Sequence, residues 1–316
     1  MAESARRFGA DVRLVVEPAL AEWKYDGLIP DWEARLKSAD VHYRDLVLAI
    51  RCLAVVNRSE VVDVLLKFVH DPHARSDVRV AAARSAGLLR DDGLLPDALR
   101  LAGASEASKL QRLCAAELLT RHRGEEVQEN LLKFAVDPEP AVAAVALRRL
   151  LQIDPQLVVL LAEQSMRNKD VNIRQLGSEV YIRLPDPQRV AVLARLLDDL
   201  DPTLRRSVAS ALLTLAQRPE LDAPIREAAV QMLAGDSWQG QEQAALLLGA
   251  LDHKASAARF LQLLDSPRPE VEIAAAWALN KRFVGVTYGV TIEEIEKNHG
   301  GLACLAPTNL VGSGSV

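Results

Sequence analysis

Asp77-Val-Arg-Val-Ala-Ala-Ala-Arg-Ser-Ala-Gly-Leu-Leu89 is the phrase that decides the fold of this chain. Its Ala and Leu residues are strong helix formers, and its apolar positions recur at helical spacing. Variants of it return along the sequence: Leu110–Leu119, Ala141–Leu151, Val171–Gly177, Thr203–Leu213 and Glu270–Leu279. Aligned, they place Arg44, Arg79, Arg112, Ala143, Arg174, Arg205, Gln241 and Glu272 in one column. The successive spacings are 35, 33, 31, 31, 31, 36 and 31 residues, an interval that marks internal repeats.

Each period holds a second apolar stretch upstream of the phrase. Glu60–Val69 is the clearest, and Glu129–Ala135, Arg189–Leu197 and Ala258–Leu264 match it. Between the two stretches lie Asp71-Pro72, Asp137-Pro138, Asp201-Pro202 and Ser266-Pro267. Proline cannot continue a helix interior but fits a first turn, and aspartate caps the helix that follows. Each unit therefore reads as helix, tight turn, helix.

A leucine-rich helix, then Asp-Pro, then Val-Arg-x-x-Ala-Ala resembles a HEAT repeat. The 31-residue period is similar to the short bacterial HEAT-like variety, also seen in phycobilin-lyase-type repeats. The resemblance implies an all-α fold, a right-handed α-solenoid of about eight HEAT-like helical hairpins with an armadillo-like superhelix. The organisation expected is an N-terminal capping segment (1–27), the repeat solenoid (28–282) and a partly flexible C-terminal extension (283–316). In the extension, Phe283–Val290 reads as extended, and Thr291–Glu294 is a capping box opening a short helix. At the other end, Trp23, Tyr25 and Trp32 are expected to form a hydrophobic lid on the first repeat, with an aromatic docking site as the alternative.

Composition fits this class. Hydrophobic residues make up 49% but aromatics only 4%, so the core is Ala, Leu and Val, suited to close helix packing. Net charge is −5, which argues against a generally basic nucleic-acid binder. The three cysteines, Cys52, Cys114 and Cys304, form no C-x-x-C, so no zinc knuckle is indicated and a reducing, cytoplasmic setting is expected. No 18-residue apolar run is present, so no membrane span is expected.

Enzymatic relatives of the fold supply specific comparisons. Deoxyhypusine hydroxylase binds iron through His-Glu dipeptides, and none of the six histidines here precedes a glutamate. HEAT-like DNA glycosylases use a concave face with aromatics, an Asp and basic residues; no motif of that kind is found here. No residue set can be assigned to a bilin either. The chain is expected not to be an enzyme, with a glycosylase-like or lyase-like activity as a residual alternative. No cofactor and no metal are expected. His70 and His73 flank a turn without a third ligand.

In HEAT solenoids the second helix of each unit lines the concave side. By that resemblance, the column Arg44, Arg79, Arg112, Arg174 and Arg205 forms a structural ladder, each arginine pairing with a turn aspartate of a neighbouring unit. Positions further along the same helices give a mixed, mildly basic stripe: Arg84, Arg121, Arg148, Gln175, Arg183, Arg206 and Trp277. The function expected is a protein-binding scaffold or adaptor whose concave face holds a protein or acidic peptide. A nucleic-acid-binding HEAT-like protein is the alternative, disfavoured by Glu117 and Glu179 within the stripe. A regulatory repeat segment of a larger enzyme is the third. The sequence names neither partner nor oligomeric state.

Overall fold

The structure, a computed structural model, describes residues 9–103 and 107–280. Among them every regular element is helical. Helix α1 (Ala10–Glu22) is followed by eight consecutive pairs. These are α2 (Ile29–Lys37) with α3 (Tyr43–Val55), α4 (Val62–His70) with α5 (Ser76–Leu89), α6 (Leu95–Ala102) with α7 (Lys109–Leu118), and α8 (Glu125–Ala135) with α9 (Pro140–Ile153). They continue as α10 (Val159–Met166) with α11 (Val171–Arg183), α12 (Val190–Ala194) with α13 (Pro202–Leu215), α14 (Pro219–Ala234) with α15 (Trp238–Ala250), and α16 (Ala257–Leu263) with α17 (Pro269–Asn280). The fold is an all-α solenoid of helical hairpins, as the periodicity implies. The extended segment and capping box read at 283–294 lie outside the described residues.

Packing divides the chain into two compact units, Met1–Leu196 with Asp201–Leu204, and Leu197–Leu200 with Arg205–Val316. In the first unit α2, α4, α6, α8 and α10 each pack on their own partner helix, while α3, α5, α7, α9 and α11 pack side by side in that order. Helix α1 also packs on α3, taking the place an earlier second helix would occupy. In the second unit α15 packs on α14 and α17, and α16 on α17.

The Val position of the repeat phrase makes each hairpin cohere. Val78, Val142, Ile173, Leu204 and Val271 are all buried, and each fully buried aliphatic side chain contributes roughly 1.5–3 kcal/mol. Small residues set the spacing between neighbouring second helices. A Cβ on Gly87 of α5 would stand 2.1 Å from the Glu117 carbonyl oxygen of α7. A Cβ on Gly249 of α15 would stand 2.7 Å from the Ala278 Cβ of α17.

Arginine side chains reach carbonyls at or just beyond several helix ends. The last carbonyls of a helix have no partner within it, and a cation there also meets the negative end of the helix dipole. Arg79 Nε donates to the Val69 carbonyl at 3.0 Å. In the loop after α7, Arg149 Nη2 reaches the carbonyls of Arg121 at 2.8 Å and His122 at 2.7 Å. In the second unit Arg226 Nη1 donates to the Leu251 carbonyl at 2.8 Å. The turn aspartates act in more than one way. Asp201 caps α13 by accepting from Thr203 and Leu204 N–H at 2.9 and 2.8 Å. Asp71 instead accepts from His73 N–H at 2.8 Å, inside the turn and ahead of α5.

The start of the stack holds a buried ion pair. Glu17 of α1 is fully buried, accepting from Trp32 Nε1 at 2.9 Å and from two Arg35 nitrogens at 2.7 Å each. Trp32 is itself fully buried, whereas Trp23 and Tyr25 are exposed. Of the three aromatics expected in a lid, one is core, held by a polar group that the apolar reading of this segment passed over.

Candidate functional site

The face presented by α3, α5 and α7 carries an open groove of about 1030 Å³. Helix α5 runs along its floor, from Ser76 and Asp77 through Val80 and Ala81 to Arg84, Ser85 and Leu88. Ala81 and Ser85 also line it, each almost wholly covered by its neighbours. Arg51, Ala54 and Val55 of α3 form one wall, and Leu110 and Leu113 of α7 the other, with Arg121 just beyond the end of α7. Val55 is 50% and Leu88 44% exposed, so an apolar surface faces solvent here.

The charges around the groove do not cancel. Arg84 Nε donates to Glu117 Oε1 at 3.0 Å, and Glu117 is almost entirely buried, so this pair is neutral as a unit. Its bond to Glu117 raises the Arg84 pKa above the ordinary guanidinium value against the opposing cost of burial. Asp77 is paired with Arg75, whose hydrogen bonds hold the Asp77 carboxyl below its usual value. Arg51 and Arg121 have no carboxylate partner among the described residues. Arg121 Nη1 is anchored on the Leu88 carbonyl at 2.7 Å, which fixes its guanidinium at the groove edge.

The remaining stripe residues stand as follows. Arg148 of α9 and Gln175 of α11 are exposed. Arg183, at the end of α11, is exposed but donates to the Leu151 carbonyl at 3.1 Å and pairs with Glu179 one turn back. Arg206 of α13 is exposed and Trp277 of α17 half-buried, both in the second unit. Arg84 and Arg121 thus meet at the groove. Sequence reasoning missed its apolar floor and Arg51. Val55 and Leu88, apolar residues at the ends of second helices, were the available signal.

The ladder column is mixed in its partners. Arg112 bridges to Asp137 of the next hairpin, with Nε 2.6 Å from Oδ2 and Nη2 3.2 Å from Oδ1. Arg79, Arg174 and Arg205 donate to main-chain carbonyls at or just after their own first helix. Arg44 is exposed against Tyr43, whose ring also carries the Arg75 guanidinium 3.8 Å from its centroid. In the second unit Gln241 stands in the column and its Nε2 donates to the Gly235 carbonyl at 2.6 Å, just after its own first helix. The nearby Trp238 ring also has the Arg205 and Arg268 guanidinium groups at 5.9 and 5.5 Å from its centroid, within cation–π range.

No group of three or more His, Cys, Asp or Glu among the described residues could hold a metal. His70 Nε2 lies 2.8 Å from Asp97 Oδ1, a two-member contact between hairpins. Cys52 and Cys114 are buried free thiols, pushed by burial up to about 12 and about 11. No described helix is long and apolar enough to cross a membrane.

No family model and no curated protein matches the chain. Among solved structures it is similar to Kap95p, in a study of Kap95p binding to RanGDP, with a TM-score of 0.59 and 15% identity. That match covers 80% of this chain and 40% of the other. A Kap95:Nup1 complex is similar too, with a TM-score of 0.55, 14% identity, and 81% and 40% covered. The likeness is one of fold, a HEAT-like repeat solenoid, and this chain spans about 40% of the length of those chains.

Proposed function

We propose that this chain is a non-catalytic scaffold that binds a protein through its second-helix face, the concave side in this fold class. The observation that carries the reading is the row α3, α5, α7, α9, α11, which presents one continuous face with an open groove across its first three members. A stack in which each hairpin contacts only its neighbours gives an extended binding surface. The similar solved structures are complexes in which Kap95 holds Ran or Nup1, which supports protein as the kind of partner. In this reading residues 1–27 cap the array, 28–282 form it, and Arg148, Gln175, Arg183, Arg206 and Trp277 are outlying contacts beyond the groove.

The arginine arrangement disfavours nucleic acid as the partner. Arg84 and Arg183 are paired with Glu117 and Glu179, so phosphate binding would have to break existing pairs. The test is affinity capture from the native host with quantitative mass spectrometry. It compares the wild-type chain with Arg148→Glu and with Leu160→Asp, which alters a 93% exposed residue on first helix α10. The expected result is a protein retained by wild type and Leu160→Asp but reduced with Arg148→Glu. Retention unaffected by Arg148→Glu and lost with Leu160→Asp contradicts the proposed face, and nuclease-sensitive retention contradicts the proposed class.

A further inference from the structure

We infer that the α3–α5–α7 groove is a docking site for a single amphipathic helix of about twelve residues that carries acidic residues beside its apolar stripe. This inference rests on the scaffold reading and names the partner's chemistry at one place.

Length comes first. From Ser76 to Leu88 the floor helix α5 advances about 18 Å at 1.5 Å per residue, and a helix of about twelve residues has that length. The groove runs along α5 between walls from α3 and α7, so a helix laid in it would be parallel or antiparallel to all three. Such a ligand reads as apolar anchors at i, i+3, i+4 and i+7.

Surface chemistry comes second. Val55, Val80, Leu88, Leu110 and Leu113 supply an apolar bed. Val55 and Leu88 are the exposed parts of this bed, and large apolar side chains of the ligand would pack on them. Desolvated anchors of this kind supply most of the binding energy at interfaces.

Charge comes third and sets the sign of the ligand. Arg84 is neutralised by Glu117 and Asp77 by Arg75, which leaves Arg51 and Arg121 as two uncompensated cations on opposite sides of one apolar bed. A neutral ligand would leave both unmatched, and a basic one would be repelled. Carboxylates flanking the apolar stripe on both sides complement them. Arg121 is held on the Leu88 carbonyl, so little side-chain freedom is lost when it engages an anion.

The experiment is selection from a random sixteen-residue peptide library displayed on phage against the whole 316-residue chain. Enriched peptides are then synthesised and measured by fluorescence anisotropy. The expected peptides have apolar residues at helical spacing with glutamate or aspartate beside them. Their binding should weaken about tenfold or more on Arg51→Glu, and to a similar degree on Leu88→Asp. Both residues are exposed, so the variants should fold, and circular dichroism checks this. Arg148→Glu, outside the groove, should change affinity less than twofold or so.

Enrichment of basic or purely polar peptides overturns the inference. So does enrichment without helical spacing, affinity indifferent to Arg51→Glu and Leu88→Asp, or no enrichment. The scaffold reading is tested separately. If affinity capture yields a protein that depends on Arg148 while peptide selection shows no dependence on Arg51, the scaffold stands and the helix-binding groove falls.

Discussion

Replacing Arg84 by alanine is expected to damage stability more than replacing its partner Glu117. Glu117 is 3% exposed in its side chain, and its hydrogen bonds come from Arg84 Nε and Nη2 onto one carboxylate oxygen. Arg84 is 54% exposed and can be hydrated when left alone. Breaking a fully buried pair from one side costs about 3–5 kcal/mol. Water that enters where the Arg84 side chain stood screens the orphaned carboxylate, so about 2 kcal/mol is the better expectation for Arg84→Ala. Glu117→Ala frees a hydratable arginine and removes a small packed volume, at about 1 kcal/mol. The double variant should cost little more than Glu117→Ala, with a coupling of about 1–2 kcal/mol. The assay is urea unfolding followed by circular dichroism, with the four proteins of the cycle compared at equal slope. If Arg84→Ala costs less than Glu117→Ala, or the two effects simply add, the pair is not the buried link between α5 and α7 described above. Arg84 would then return to the free cations of the groove.

Three further outcomes are expected. Arg35→Met should destabilise the chain by about 3 kcal/mol in the same unfolding assay, because it leaves the buried Glu17 with only Trp32 Nε1 as donor. The double variant Glu17→Met with Arg35→Met should recover most of that loss, and absence of recovery would show that packing outweighs charge at this site. His122 is buried, its Nε2 accepting from Leu94 N–H at 3.0 Å, and burial holds its pKa below the ordinary histidine value of 6.5. A depressed histidine favours the neutral form in the fold, so its contribution is intact above pH 6.5 and is lost as pH falls below it. Melting temperature against pH should therefore decline below that value, and His122→Gln should flatten the decline if His122 causes it. Gly87→Ala should cost about 1–3 kcal/mol by forcing α5 away from the Glu117 carbonyl, and a thermal melt indistinguishable from wild type would refute the close approach.

The repeat phrase made the architecture legible because a helical hairpin is a local object. Its apolar period, Asp-Pro turn and length are all written within about thirty residues, and repetition supplies the packing partner. The buried set of Val78, Val142, Ile173, Leu204 and Val271 follows directly from that alignment. Side-chain partners are less legible because they depend on neighbours a full repeat away. Arg84 and Arg121 occupy similar exposed positions in the sequence pattern. Yet Arg84 is paired with Glu117, 33 residues on, and Arg121 with a main-chain carbonyl 33 residues back. A carbonyl is invisible in the sequence, so every arginine that closes a helix end looks like a free surface charge. Glu17 was hidden for the same reason: its partners Trp32 and Arg35 lie on another helix, and nothing local marks a glutamate as buried.

Hydrogen–deuterium exchange on the chain with and without its captured protein partner tests the central claim most directly. The account predicts slowed exchange concentrated in α3, α5 and α7, with the first helices α2, α4 and α6 unchanged. Protection confined to the first helices would place the partner on the opposite face and contradict the account.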